Sequence, residues 1–314
     1  MTQLLQLIPE YRDYVWGGQR LRPGTLTAEA WIVYEGNRIA NGPLAGRTLS
    51  EAAETLGADL LGRTVVSKTD RRFPLLIKIL DCNAWLSIQV HPNDAQAVEL
   101  EGPRHFGKTE AWHVLDAADG ATLIAGVQSG TSPDTLAQAI RAGTILDHVQ
   151  SHAAHAGDTV FMPAGTLHAL GPGLLIYEVQ QTSNITYRIF DWNRPASAGR
   201  ALHLEQSVAV TDAHATGQMQ PKPDLADHDR QRLIACPYFT LDVLAAQHAA
   251  LSLDTRGESF NALTVIEGQG EVIAGDEHAT LKLFDTVLIA ANTGAYQFRP
   301  IDSGGVRALV AGVG

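Results

Sequence analysis

Apolar residues along this chain come in runs too short for helices. LLIKIL (75–80), LSIQV (86–90), AWHVLD (111–116), ATLIAGV (121–127), DTVFMP (158–163), LLIYEVQ (174–180) and TYRIFDW (186–192) are alternating or continuously apolar. Turn signals such as Asp119-Gly120 and Gly171-Pro172-Gly173 part them. Many short strands with such punctuation predict a mainly β chain built as antiparallel barrels or sandwiches. Helical patterns are few. Thr48-x-x-Glu51 is a capping box opening SEAAETLG, HPNDAQAVELEG follows a strand, and Ser132-Pro133 gives DTLAQAIRAGTILDHVQ a cap and a first-turn proline. They predict helical insertions at about 48–62, 92–101 and 132–150.

Polar, proline-rich GQMQPKPDLADHDRQR reads as a linker over 217–232. It divides a first domain, 1–216, from a second, 233–314, whose strands are YFTLDVL, FNALTVIEG, GEVIAG, LFDTVLIAA and YQFRP. The two halves echo each other weakly. Asp158-Thr159-Val160-Phe161-Met162 and its turn have a counterpart in Asp285-Thr286-Val287-Leu288-Ile289, and Ala295 stands where His168 stands in the first copy. Two related barrels explain the repeat, with polar equipment in one copy only.

Composition narrows the classes. The chain of 314 residues is 45% hydrophobic and 18% charged, an ordinary globular balance. A net charge of -11 with scattered Lys and Arg argues against nucleic acid as a partner. It leaves room for an anionic substrate, since a few local cations suffice. Cys82 and Cys236 lie far apart, so neither a disulfide framework nor a cysteine zinc site is indicated. No run of about 18 apolar residues spans a membrane. MTQLLQLIPEYRDY has too short an apolar run for a signal peptide, so the expectation is a cytoplasmic protein.

The chemistry gathers in the first half. Gln89 and His91 alternate on LSIQVH, which puts both on one strand face beside Ser87. Two ligands to one ion from one strand need that spacing, although a polar sheet face at an edge has it too. His168 follows Pro163-Ala164-Gly165, a turn that holds the next residues at a fixed place. Glu110 in GKTEAW opens another strand. Together Gln89, His91, Glu110 and His168 make a set of two nitrogens and two oxygens suited to Zn²⁺, one per chain, with a position left for exchange.

GDTVFMPAGTLH fits the second cupin motif, G-x5-P-x-G-x2-H, from Gly157 to His168. LSIQVHPND, GKTEAWHVL, LLIYEVQQTSNITYRIFDWNR, VWGG (15–18) and EAWIV (29–33) resemble the type I mannose-6-phosphate isomerases in their short bacterial form, in order from about residue 8 to 205. The resemblance implies two cupin-type antiparallel β-barrels (jelly rolls), the second without metal ligands. It implies a zinc-dependent aldose–ketose isomerase that interconverts mannose 6-phosphate and fructose 6-phosphate through a cis-enediol. The family's zinc ligands fall on Gln89, His91, Glu110 and His168, and its essential arginine on Arg188. Lys108, Lys78 and Ser87 match active-site positions suited to the phosphate end, and Arg194 falls near a phosphate-region lysine of longer members. Glu178 matches an acidic site residue; it is a candidate base beside a zinc-bound hydroxide or a structural carboxylate.

Fold alone does not settle the chemistry. Another aldose or sugar phosphate as substrate, a non-catalytic sugar-phosphate-binding cupin and an iron dioxygenase stay as alternatives. Gln89 fits the last poorly, because a neutral amide is a weak ligand for such sites. One chain supplies every candidate residue, so a monomer or weak homo-oligomer suffices.

Overall fold

The protein is described from a computed structural model over residues 4–195, 199–225 and 229–314. Strands predominate, as the short apolar runs predict, and they form four sheets. The sheets are open: among the described residues none closes on itself, which corrects the expectation of closed barrels.

The chain divides into two compact units that interleave in sequence, one of residues 1–10, 31–77 and 223–314 and the other of residues 11–30 and 78–222. This differs from a linear division at a 217–232 linker, where Gln218–Gln220 is a strand paired with Thr159–Met162 and 226–228 lie outside the described residues.

In the first unit, one sheet orders Leu4–Gln6, Thr286–Ile289, Asn261–Gly268, Val306–Gly312, Thr240–Ala246 and Arg230–Ala235. The other orders Leu251–Asp254, Ala295–Pro300, Gly270–Ala274 and Glu277–Leu281. Their inward residues, among them Leu263, Val272, Val287, Phe298 and Val310, make one apolar core. The repeat predicted around Asp285 is strand, turn and strand here too, but its interior is hydrocarbon.

Helices Leu49–Leu56, Ala58–Leu61 and Arg63–Thr69 belong to this unit and not to the one bearing the candidate site. The reason is non-local. Arg63 and Thr64 donate backbone N–H groups to Gly257 and Glu258 carbonyls at 3.0 and 3.1 Å, and Phe73 stacks on Phe260 at 4.8 Å. Gly62 sits at φ +94°, where an added Cβ would meet the Glu258 carbonyl oxygen at 2.2 Å, so only glycine permits that approach. The capping box at Thr48 forms as its pattern predicts.

In the second unit, one sheet orders Tyr187–Phe190, Ile88–Val90, His168–Leu170, Thr122–Val127 and Val149–Ala153. The other runs Gln218–Gln220, Thr159–Met162, Glu110–Ala117, Leu174–Gln181 and, from Lys78 on, Leu75–Cys82. Trp112, Val114, Leu123, Met162, Leu170 and Ile176 from both sheets form the core between them. The outer face of the first sheet packs Ile88, Val90 and Tyr187 against Leu136 and Ile140 of helix Pro133–Ala142 and Val210 of helix Leu204–Val210. The sheet that carries Gln89, His168 and Arg188 is therefore backed by an apolar layer. No helix among the described residues is long and apolar enough to cross a membrane.

Candidate metal centre and active-site cleft

Register creates the site. Gln89 pairs with His168 on one side and with Arg188 on the other, so three polar side chains stand in a row across one sheet. On the opposite sheet Glu110 pairs with Gln180 and Trp112 with Glu178, which puts Glu110 and Glu178 inward on neighbouring strands. His91 lies just past its strand, where its carbonyl accepts from Gly165 N–H at 2.8 Å. Gly165, at φ +87°, completes the turn begun at Pro163 and pins the histidine-bearing strand beside that segment. The Pro-Ala-Gly turn thus joins both histidines to one place.

His91, Glu110 and His168 offer ligand atoms that all lie within 4.8 Å of one another. All three are buried. Each imidazole is oriented from behind: His91 Nδ1 donates to the Ile185 carbonyl at 2.8 Å and His168 Nδ1 to the Thr166 carbonyl at 2.8 Å. Backbone partners on Nδ1 leave each Nε2 lone pair facing inward, the arrangement metal-binding histidines use. Burial lowers both imidazole pKa values, with Lys108 adding to the effect on His91, so both rings are neutral at physiological pH. Glu110 completes the cluster at 3.2 Å from His168 Nε2 and 3.6 Å from His91 Nε2. Gln89 presents its amide 3.3 Å from His168 Nε2, and a half-turn of that amide places its oxygen there. The Lys108 ammonium already rests on two of these donors, His91 Nε2 at 2.9 Å and Glu110 Oε2 at 2.7 Å. The donor set attracts cations, and it fits a divalent ion.

Beside it lies a buried chain of charge. Lys78 Nζ is 3.3 Å from Glu178 Oε1 and 3.9 Å from Glu29 Oε2, and Lys108 Nζ is 3.8 Å from Glu178 Oε1. Burial by itself would raise the Glu178 carboxyl, but the Lys78 and Lys108 ammoniums outweigh it and hold the group below the usual carboxylate range. Burial would likewise lower Lys78, and Glu178, Glu29 and Glu110 together raise it instead. Glu178 is ionised and Lys78 is protonated.

The cleft over these groups, about 60 Å³, is lined by Tyr14, Glu29, Lys78, Gln89, Lys108, Glu178, Asn184, Thr186, Arg188 and Arg200, among others, all from the second unit. The structure therefore brings together Gln89, His91, Glu110, His168, Lys108, Lys78, Glu178 and Arg188, with Ser87 Oγ 3.3 Å from Gln89 Oε1. Arg194 is different. It is absent from the cleft lining and spends its guanidinium on Asp191 Oδ1 at 2.8 Å and the Trp85 carbonyl at 2.6 Å. Sequence reasoning missed Arg200, Tyr14 and Glu29. The first lies in an irregular segment with no periodicity to flag it, whereas Tyr14 adjoins the VWGG stretch and Glu29 opens EAWIV.

The geometry has counterparts among known proteins. The family model for the catalytic domain of type I phosphomannose isomerase matches residues 4–111. The mannose-6-phosphate isomerase of Streptococcus mutans serotype c is 35% identical over 314 residues, covering 95% of this chain and 96% of that one. This chain belongs to the type I phosphomannose isomerase family. Mannose-6-phosphate isomerase ManA of Bacillus subtilis (strain 168) is 32% identical, with 94% and 96% of the two chains covered. A crystal structure of the mannose 6-phosphate isomerase from Bacillus subtilis superposes with a TM-score of 0.86 at 29% identity over 99% of both chains. The family resemblance read from GDTVFMPAGTLH and its companions is thus extended to the whole chain.

His113, next to the site in sequence, faces away from Glu110 and pairs its Nδ1 with Thr159 Oγ1 at 3.0 Å. Burial lowers its pKa to about 4. Folding then opposes protonation, so this contribution is complete above the unfolded value near 6.5 and is lost as pH falls toward 4. Chemical denaturation at pH 7.5 and 4.5 is expected to show His113→Gln escaping about 2–3 kcal/mol of the acid destabilisation seen in the parent.

Proposed function

We propose that this cleft interconverts mannose 6-phosphate and fructose 6-phosphate by moving a proton between C1 and C2 through a cis-enediol, with one Zn²⁺ held by Gln89, His91, Glu110 and His168. The enzyme class is that of the family, mannose-6-phosphate isomerase, an aldose–ketose isomerase. One observation carries the reading: the buried His91–Glu110–His168 cluster is in contact with Gln89 and Lys108, and these two line the cleft that also holds an ionised Glu178 between two lysines. The two-sheet units fit cupin-type jelly rolls, of which only the second unit keeps polar ligands.

When bound, the ion supplies Lewis-acid polarisation of the sugar oxygens. Glu178 takes the proton from one carbon and returns it to the other. A carboxylate this acidic succeeds only if the developing enediolate is stabilised within reach, a task suited to the Lys108 ammonium and the Arg188 guanidinium across the cleft. Lys78 keeps Glu178 ionised and oriented. The cleft is smaller than the roughly 300 Å³ of ordinary ligand sites.

A coupled assay on mannose 6-phosphate tests the proposal. Turnover is expected in the protein as purified, loss with a chelator, and recovery on adding Zn²⁺. Full activity with metal stripped would remove the ion from the reaction, and binding of mannose 6-phosphate without turnover by zinc-loaded protein would make this a sugar-phosphate-binding protein.

A further inference from the structure

The two ends of the cleft carry opposite charge surpluses. On the metal side, Lys78 and Lys108 are engaged by three carboxylates, Glu29, Glu110 and Glu178. The carboxylates outnumber the two ammoniums, so this end has no surplus positive charge for a phosphate dianion. On the other side stand three guanidiniums, Arg188, Arg194 and Arg200, and one carboxylate, Asp191, which two of them share. Asp191 Oδ1 and Oδ2 take Arg194 at 2.8 Å and Arg200 at 2.8 Å. Asp191 is buried, and Arg200 shows only 11% of its side chain to solvent. The Arg188 Nε is buried with no hydrogen-bond partner. Proximity is marked electrostatically as well, since burial and the Arg200 charge together lower the Arg188 pKa.

We propose that Arg200 and the Arg188 guanidinium form the phosphate subsite of the cleft, and that Ser87 and Arg194 only brace it. Arg200 lines the cleft as Arg188 does, and its Nη2 donates to the buried Ser87 Oγ at 3.3 Å, which holds the guanidinium in place from behind. Asp191 balances only one of the two guanidiniums paired with it, and Arg188 adds a further positive charge, so this end keeps a surplus that a phosphate dianion would offset through planar forks that a lysine cannot reproduce. Arg194 also pairs with Asp191 and donates to the Trp85 carbonyl, but it is not among the residues that line the cleft. What it does is fix Asp191. The positive-φ pair Trp192 and Asn193 makes the turn, and Trp192 donates its indole N–H to the Leu86 carbonyl at 2.7 Å, which anchors Arg194 and Asp191 beside Ser87.

The inference rests on the sugar-phosphate reading, and its test separates the two. Inorganic phosphate is titrated calorimetrically into parent, Arg200→Met and Arg200→Lys proteins, each zinc-loaded, while KM and kcat on mannose 6-phosphate are measured in parallel. Arg200→Met is expected to weaken phosphate binding and raise KM together, on the order of 30-fold, with kcat changed far less. Arg200→Lys should recover only part, because the planar fork is lost. Thermal melts keep the comparison to folded protein. Phosphate binding and KM within twofold of the parent in Arg200→Met would overturn the subsite, whatever the reaction is. A parent that binds phosphate through Arg200 yet fails to isomerise mannose 6-phosphate would keep the subsite and refute the isomerase reading instead.

Discussion

His168→Ala is expected to lower kcat/KM on mannose 6-phosphate by on the order of a thousandfold and to reduce bound zinc below one per chain. The size follows from how many groups meet at one ring. His168 Nε2 is 3.2 Å from Glu110 Oε1 and 3.3 Å from the Gln89 amide, and its Nδ1 is anchored to the Thr166 carbonyl at 2.8 Å. Removing the ring takes away one nitrogen donor, releases Gln89 and leaves Glu110 with Lys108 as its remaining strong partner. The ring also stacks edge-on to Trp112 at 5.3 Å, so its loss opens a void in the core as well. A stability loss of about 1–3 kcal/mol accompanies the change and is too small to unfold an ordinary domain. Metal analysis and a melting curve alongside the assay tell the two effects apart. A variant with parental zinc content and near-parental turnover would show that His168 neither holds the ion nor takes part in the reaction.

Much of this site was legible because it is built from local rules. The two-residue strand period put Gln89 and His91 on one face, and Pro163-x-Gly165 announced the turn that delivers His168. The pattern of Asp285 to Ala295 repeating Asp158 to His168 told which copy carried the chemistry. What stayed hidden depends on contacts distant in sequence. LLIKIL predicts a lysine in need of a partner, yet nothing in it says that Glu178, a hundred residues on, is that partner. Arg194 fits a motif position, whereas Arg200 does not, and only the tertiary fold shows that the first turns to Asp191 and Trp85 while the second lines the cleft. The grouping of helices at 49–69 with strands beyond 223 is of the same kind. It rests on backbone hydrogen bonds at Arg63 and Thr64 that no periodicity encodes.

The buried charge chain sets the second large effect. Lys78→Met keeps most of the side-chain volume and deletes the ammonium, so Glu29 and Glu178 lose their shared counter-charge in a place where water does not replace it. With Lys78 and Glu178 each about 5% exposed, screening is slight. The expected cost is about 3–5 kcal/mol at neutral pH, typical of a buried pair broken from one side. The pH dependence identifies the cause. In the parent, Glu178 is held below the usual carboxylate range, so its contribution is present above the unfolded pKa and fades as pH falls through the folded one. In Lys78→Met the nearest counter-charge is gone, and burial, the largest influence on this carboxyl, is opposed mainly by Lys108 at 3.8 Å. Its folded pKa then rises above the unfolded value, and protonation on acidification relieves the strain of an unpaired charge. Denaturant unfolding of both proteins should thus give a gap that is widest near pH 7 and narrows toward pH 4.5. The double variant Lys78→Met/Glu178→Gln, neutral at both positions, should recover a substantial part of the loss at neutral pH. A Lys78→Met cost below about 1 kcal/mol that is flat with pH would mean that water reaches these groups, and that Glu178 is not held ionised by its lysines.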